Sequence, residues 1–418
     1  MIKQYFKQAW RLLKENPVLS AISIIGTALA ICMIMVMVMS YEVKNAPYPP
    51  ETNRDRMLYM KFVRAQRVNS AGSRNSTVGY QLAKEGFKAL KTPEAITIVS
   101  AYEPPALATL PGSRIVKSYN KLLTDDAFWQ VFDFRFIEGN PYSQVDVDAG
   151  LCKAVISKSV AREMFGTIDA VGKTIRLNYT DYTVCGVVND VNVLATAAYS
   201  QIWIPLTSQP IYKEESDRIA GKYRIYILAK NRNDFPAIKE EAEQLRQKYN
   251  EGLSGEYAAE YKGQPESHFA YLNREWAGDE INISKIIIQY TVIIALLLLI
   301  PAVNLSSMTG SQMRKRLSEL GVRRAYGATR NNLIHQIMTE SLIQTLIGGL
   351  LGLILSYLAA YILKEMLYEG AVVPFISLLS PVTFLFAFLF CILLNVLSAI
   401  IPAWRTSHKP IVESILSN

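Results

Sequence analysis

Residues 314–330 read RKRLSELGVRRAYGATR and lie between two long apolar runs. The segment is short and strongly basic, and its order of leucine, glycine, paired arginines and Gly-Ala-Thr is more particular than a generic loop requires. Working outward, uncharged runs near the length of about 20 residues that crosses hydrocarbon occupy 18–40, 286–311, 333–363 and 382–401. The third holds His335 and Glu340 near one end and is free of charge from Ser341 onward. Four membrane-spanning helices are the expectation. The first is read as an uncleaved span, because its apolar core exceeds that of a signal peptide and no small-x-small site follows Met39.

The chain has 418 residues and a formal charge of +8, a balance that in a soluble protein would point to an anionic partner such as nucleic acid. Regional counting removes that reading. Residues 41–283 hold 30 Lys or Arg and 30 Asp or Glu, whereas 1–16, 311–332 and 403–418 together hold 12 basic residues against Glu15, Glu319 and Glu413. Basic excess marks cytoplasmic loops. The resulting threading places an amphipathic helix at 1–16 inside, spans at 17–40, 284–311, 333–363 and 382–402, a large outer domain at 41–283, a cytoplasmic segment at 312–332, a short outer loop at 364–381 and a cytoplasmic tail at 403–418. The expected location is the inner (cytoplasmic) membrane with both termini in the cytoplasm.

The outer domain reads as mixed α and β. MLYMKFV, GYQLAKEGFKALK and AITIVSAY give strand, helix and strand, and RIYILAK, PAIKEEAEQLRQKY and HFAYLN are expected to repeat that order. The two βαβ units flank a strand-rich insert at about 108–205, carried by AVIS, KTIRLNY, DYTVCGVV and QIWIPL. One discontinuous domain with a second inserted into it is therefore predicted.

Chemistry is sparse. His268 is the sole histidine of 41–283, and acids such as Asp125, Asp126, Asp133 and Glu138 are matched by as many bases, so no catalytic constellation emerges. The histidines form no metal-ligand spacing. Gly172-Lys173-Thr174 imitates the end of a phosphate-binding loop, but the position five residues before Gly172 is Thr167, and strand-like IRLNY follows where a helix is needed. Cys152 and Cys185 lie in strand-like surroundings; two buried thiols are the plainer reading and a disulfide the alternative. In the third run Gly348, Gly352 and Ser356 recur every four residues with Gly349 alongside, a flat face on which another helix can pack closely, either of a second copy or of the same chain.

The segment quoted first divides into a continuation of the second span, a break at Gly321, a short helix over 322–326 and an end at Gly327-Ala328, with Thr329 capping the third span. RLSELGVRRAYGATRNNLIHQIMTESLIQTLIGGLLGLILS resembles the second cytoplasmic loop and third span of the MacB/FtsX family of ABC permeases, and IPAWRTSHKPIVESI is similar to that family's ending, with Ser414 at a usual alanine. LTDDAFWQVFDFRFIEGNP and AREMFGTIDAVGKTIRLNYTDYTVCGVVND resemble the MacB-type periplasmic core. The resemblance implies an α-helical four-span transmembrane domain plus an α+β extracytoplasmic domain, made of a split βαβ porter-like subdomain with a strand-rich inserted subdomain. It implies a permease that is itself no enzyme, has no fused ATPase and binds no cofactor, with ATP and Mg held by a separate cytoplasmic ABC ATPase. Coupling to that ATPase would fall to Glu319, Leu320, Gly321, Val322, Arg323, Arg324, Ala325, Gly327, Ala328 and Thr329. Further implied partners are the lipid bilayer, a second permease copy in a homodimer or related heterodimer, and a periplasmic adaptor with an outer-membrane channel. Export or extraction by mechanotransmission is the leading reading; an FtsX-like signalling subunit acting on an extracytoplasmic hydrolase or sensor is the alternative.

Overall fold

The computed structural model describes residues 17–209, 218–253, 256–278, 280–315 and 329–367, together with Val322, Tyr326 and nine positions between 382 and 396. The expected helix at 1–16 and the tail at 403–418 lie outside the described residues. Two compact units emerge, one from Met1–Lys44 with Ser284–Asn418 and the other from Asn45–Ile283.

In chain order the elements are α1 (Pro17–Asn45), β1 (Met57–Met60), β2 (Val63–Arg67), β3 (Ser73–Val78), β4 (Ala95–Ser100), β5 (Ala106–Thr109), β6 (Lys117–Tyr119) and β7 (Lys121–Thr124). There follow β8 (Phe136–Gly139), β9 (Lys153–Ser157), α2 (Lys158–Phe165), β10 (Thr174–Leu177), β11 (Thr180–Val188), β12 (Ile202–Pro205), β13 (Ala220–Gly221) and β14 (Tyr223–Leu228). Then come α3 (Phe235–Glu251), β15 (Tyr257–Glu260), β16 (Glu266–Ser267), α4 (His268–Asn273), α5 (Ile283–Lys315) and α6 (Arg330–Leu367).

In the first unit, Ser20–Glu42 within α1 and Leu342–Ile362 within α6 are long and apolar enough to cross a membrane, and Ile283–Leu296 in α5 is a shorter apolar stretch. The glycine face of α6 is filled by α1 of the same chain. A Cβ at Gly348 would stand 2.8 Å from the Thr27 Cβ, and one at Gly352 would stand 2.9 Å from both the Ala28 oxygen and the Ile31 Cβ. A Cβ at Gly349 would collide with the Phe388 ring, and Ser356 closes the row by donating to the Gly352 oxygen at 2.6 Å. Backbone-to-backbone approach of this kind is open only to residues without side chains.

In the second unit one sheet runs β15-β2-β3-β14-β4-β7-β12-β9-β11-β10-β5-β6. β14 returns to the first part of the chain after the whole insert and pairs antiparallel with β4 along its full length, Tyr223↔Ser100 to Leu228↔Ala95. Its other edge takes β1, Ile225↔Met60 to Leu228↔Met57. Because both faces of β14 are covered, it reads as a nearly unbroken apolar run. Ile225 and Ile227 enter one core cluster while Tyr226 and Leu228 enter the other. Each fully buried isoleucine contributes about 1.5–3 kcal/mol.

HFAYLN, expected as a strand, is the helix α4. Positions three apart, His268 and Tyr271, meet the same partner, Tyr59, at ring distances of 5.3 and 4.6 Å, a spacing that only a helix produces. The strand it was expected to supply is β15, which pairs with β2. The helix expected across 79–91 is shorter, a turn at Tyr80–Leu82 continued by a π turn at Ala83–Phe87. The insert holds AVIS, TIRL, TDYTVCGVV and IWIP as β9 to β12, with Gly139 at φ +69° where a Cβ would strike the Cys185 oxygen. Cys152 and Cys185 are free thiols, and burial pushes the Cys185 thiol up to about 11.

Buried ion pairs hold both ends of this unit. Near its start, Arg54 meets Glu51 at 2.7 Å and donates to the Leu194 oxygen at 2.6 Å, while Glu51 accepts from the Ala197 and Ala198 amides at 2.7 and 3.0 Å. Near its end, Arg274 grips both oxygens of Glu266 at 2.7 and 2.9 Å and donates to the Lys262 oxygen. The first pair fastens the chain leaving α1 to the insert, and the second fastens the chain approaching α5 to the split half.

Three consequences are measurable. Gly352→Ile should cost about 1–3 kcal/mol by overpacking, seen as a lower melting temperature in detergent, whereas Gly26→Leu should be neutral, since nothing lies within 4 Å of its added Cβ. Arg54→Met should destabilise by about 3–5 kcal/mol in denaturant unfolding because Glu51 is left buried and charged, with Glu51→Gln/Arg54→Met costing less. The Asp146 carboxyl lies below the usual carboxylate range, held there by the Lys153 ammonium at 2.7 Å and the Ser143 amide at 2.8 Å. Its lowered folded value makes the stabilisation full above the ordinary pKa of about 4 and lost as pH falls through the folded value. Asp146→Asn, which removes the charge that meets Lys153, should therefore cost up to about 1 kcal/mol at pH 7 and nothing in strong acid.

Candidate functional site

Most of the expected coupling segment, Glu319, Leu320, Gly321, Arg323, Arg324, Ala325, Gly327 and Ala328, lies outside the described residues. What is described is Thr329, directly before α6, and one helical turn. Tyr326 N–H donates to the Val322 oxygen at 3.1 Å, and the two side chains are 90% and 44% exposed. Tyr326, between the long helices α5 and α6 in sequence, leaves an apolar ring and a hydroxyl exposed. Sequence reading placed Tyr326 in the short helix without assigning it a role. Gly348, Gly349, Gly352 and Ser356 sit in the α1–α6 packing described above rather than on a free face.

The other site is a cleft of about 840 Å³ in the Asn45–Ile283 unit, where the split half meets the insert. The two halves of the sheet touch across β4 and β7, and that ladder has a single register pair, Val99↔Thr124. Side-chain bonds replace the missing ladder. Asp125 accepts from the Ile98 amide at 3.1 Å and the Thr97 hydroxyl at 2.6 Å and pairs with the Lys88 ammonium at 2.7 Å, and Ser100 accepts from the Leu123 amide at 3.0 Å. Beside this seam the sheet parts and the cleft opens.

Its walls come from distant parts of the chain: Thr77 on β3, Tyr223 on β14, Lys121 on β7 and Asn178 in the β10–β11 turn. Asn178 and Tyr179 both have positive φ, 45° and 72°, the geometry of a tight hairpin turn, and the Asn178 carboxamide accepts from the Leu107 amide at 2.9 Å. In the wall Lys121 and Glu103 form an ion pair at 3.3 Å with side chains only 5% and 15% exposed. At the rim Trp276 and Tyr102 are 70% and 63% exposed. Sequence reading named none of these residues, because nothing in their spacing announces that they converge.

The phosphate-loop imitation is resolved by geometry. Gly172 has φ +80° and enters β10, a strand, and the Lys173 ammonium is bound to the Asp169 oxygen and lies 5.8 Å over the Phe165 ring. No group of three or more metal-ligating side chains occurs among the described residues.

Residues 20–245 match the family of the MacB-like periplasmic core domain, and residues 291–411 match the FtsX-like permease C-terminal family. The chain is 23% identical over 223 residues to the uncharacterized ABC transporter permease YknZ of Bacillus subtilis, covering 52% of this chain and 51% of that protein. It is 24% identical over 223 residues to the pyoverdine export ATP-binding/permease protein PvdT of Pseudomonas savastanoi pv. phaseolicola, covering 52% of this chain and 32% of that one. The chain thus spans about half the length of the first relative and about a third of the second. The crystal structure of the periplasmic region of MacB from Actinobacillus actinomycetemcomitans aligns with 49% of this chain and 90% of that one, at 15% identity and a TM-score of 0.34. With the first family match alone covering more than half of the residues and the second reaching past the last apolar run, the chain belongs to the MacB/FtsX family of ABC transporter permeases.

Proposed function

We propose that this permease couples ATP binding and hydrolysis on a separate cytoplasmic ATPase to movement of its extracytoplasmic domain, exporting or extracting a substrate by mechanotransmission. The carrying observation is the exposed Val322–Tyr326 turn, poised between α5 and α6. A short helical turn placed in sequence between two long helices would carry displacement from a docked partner to them. The surrounding Leu320 and Arg324 would complete the docking surface, an apolar contact and a cation for the ATPase. ATP and Mg would be bound by that partner.

The regional charges favour the inner membrane with this turn in the cytoplasm, and a dimer of two permease copies is part of the reading. Force would reach the outer domain by the two chain segments that join it to α1 and α5. Those segments are held by different halves of the domain, Arg54 by the insert and Arg274 by the split half. Relative motion of the two helices would therefore load the seam between the halves.

Two measurements bear on this. Purified alone, the chain should hydrolyse no ATP, and turnover in a preparation free of contaminating ATPase would refute the separate-subunit reading. Co-purification followed by mass spectrometry should name an ABC ATPase, and Leu320→Asp or Tyr326→Ala should weaken its retention on the order of tenfold or more. Full retention by both variants would place the docking surface elsewhere.

A further inference from the structure

The cleft at the seam has a chemistry that neither fold stability nor ATPase coupling uses. Its volume of about 840 Å³ lies within the range of small-molecule sites, about 300–1,000 Å³. Taking a lysine and a glutamate out of water is expensive, and a nearly buried pair is weak evidence of a stabilising role. The seam is already held by Asp125, so the Lys121–Glu103 pair is not needed to close it. The pair borders a cavity rather than packed core. At the rim, Trp276 and Tyr102 leave large aromatic surfaces in water, where a ligand could cover them.

We propose that this cleft binds a zwitterion with an α-amino-acid head group on an apolar or aromatic body. The two wall charges stand 3.3 Å apart, so they match a ligand whose ammonium and carboxylate hang on one carbon and do not match a peptide whose termini are far apart. The ligand carboxylate takes Lys121 and its ammonium takes Glu103, exchanging one internal ion pair for two with the ligand. The body of the ligand lies toward Trp276 and Tyr102. Because Lys121 belongs to the insert, Glu103 to the link that leads into it and Thr77 to the split half, occupancy ties the two halves across the seam.

The test uses the full chain in detergent, without any ATPase, so its outcome is independent of the coupling proposal. L-phenylalanine is the probe, followed by tryptophan emission and by calorimetry. A saturable emission change is expected, absent in Trp276→Phe. N-acetylphenylalanine and phenylalanine amide, each lacking one charge of the head group, should bind at least tenfold more weakly. The paired substitution Lys121→Met/Glu103→Gln removes both wall charges without orphaning either and should weaken L-phenylalanine at least tenfold while the melting curve keeps its shape. Should that variant lose its cooperative melt, Trp276→Ala and Tyr102→Ala, at exposed rim positions, take its place in calorimetry with the same expected loss. Absence of saturable binding overturns the proposal, as do blocked derivatives that bind as tightly as L-phenylalanine. Undiminished binding by the rim variants overturns its location.

Discussion

Within the Asn45–Ile283 unit, the joint between its two halves rests on the Asp125 carboxylate. Where β4 of the split half meets β7 of the insert, strand pairing falls to a single register pair, and Asp125 supplies in side-chain form what the ladder lacks. Its two oxygens take a backbone amide, a hydroxyl and the Lys88 ammonium, which offset part of the desolvation that pushes its carboxyl above the usual range. Hydrogen bonds to a charged acceptor are about twice as strong as neutral ones, so a few of them can hold a seam that a full ladder would otherwise make rigid. The Ser100 hydroxyl adds a bond from the Leu123 amide, and the Asp125 amide donates to the Ile98 oxygen, so a few polar contacts carry the joint.

This joint gives the rest of the domain its arrangement. β14 returns after the insert and locks between β1 and β4, so the split half closes only once the insert has been traversed. The Glu51–Arg54 pair ties the start of the domain to the insert, and the Glu266–Arg274 pair ties its end to the split half. The two ends of the domain are thus gripped by different halves. The cleft lies beside the joint and takes its lining from both halves, Thr77 and Tyr223 from one and Lys121 from the other.

Periodicity and charge were readable before any coordinates. The apolar runs that became α1 and α6, the strands AVIS and TIRL, and the return strand RIYIL all announce themselves, because burial on one or both faces leaves a regular imprint on residue order. HFAYLN misled, since its mixture of aromatic and small residues fits either period and only the ring of Tyr59, contributed from more than 200 residues earlier, selects the helix. The glycines of 348–352 announced a close helix contact but not its partner. The bulk of Thr27, Ala28 and Ile31 on α1 decides that.

By itself the sequence determined the class of protein: apolar runs flanked by basic segments, a neutral outer domain of alternating strands and helices, and motifs at both ends that resemble one permease family. These are local properties, written in windows of a few to twenty residues. The tertiary structure alone decided where the insert joins its host, which ion pairs hold the two ends of the Asn45–Ile283 unit, and that Lys121, Glu103, Tyr102 and Trp276 share one cleft. The physical reason is sequence separation. Arg54 reaches the Leu194 oxygen across 140 residues and Tyr102 shares the cleft with Trp276, and no local pattern records a meeting that the whole topology brings about.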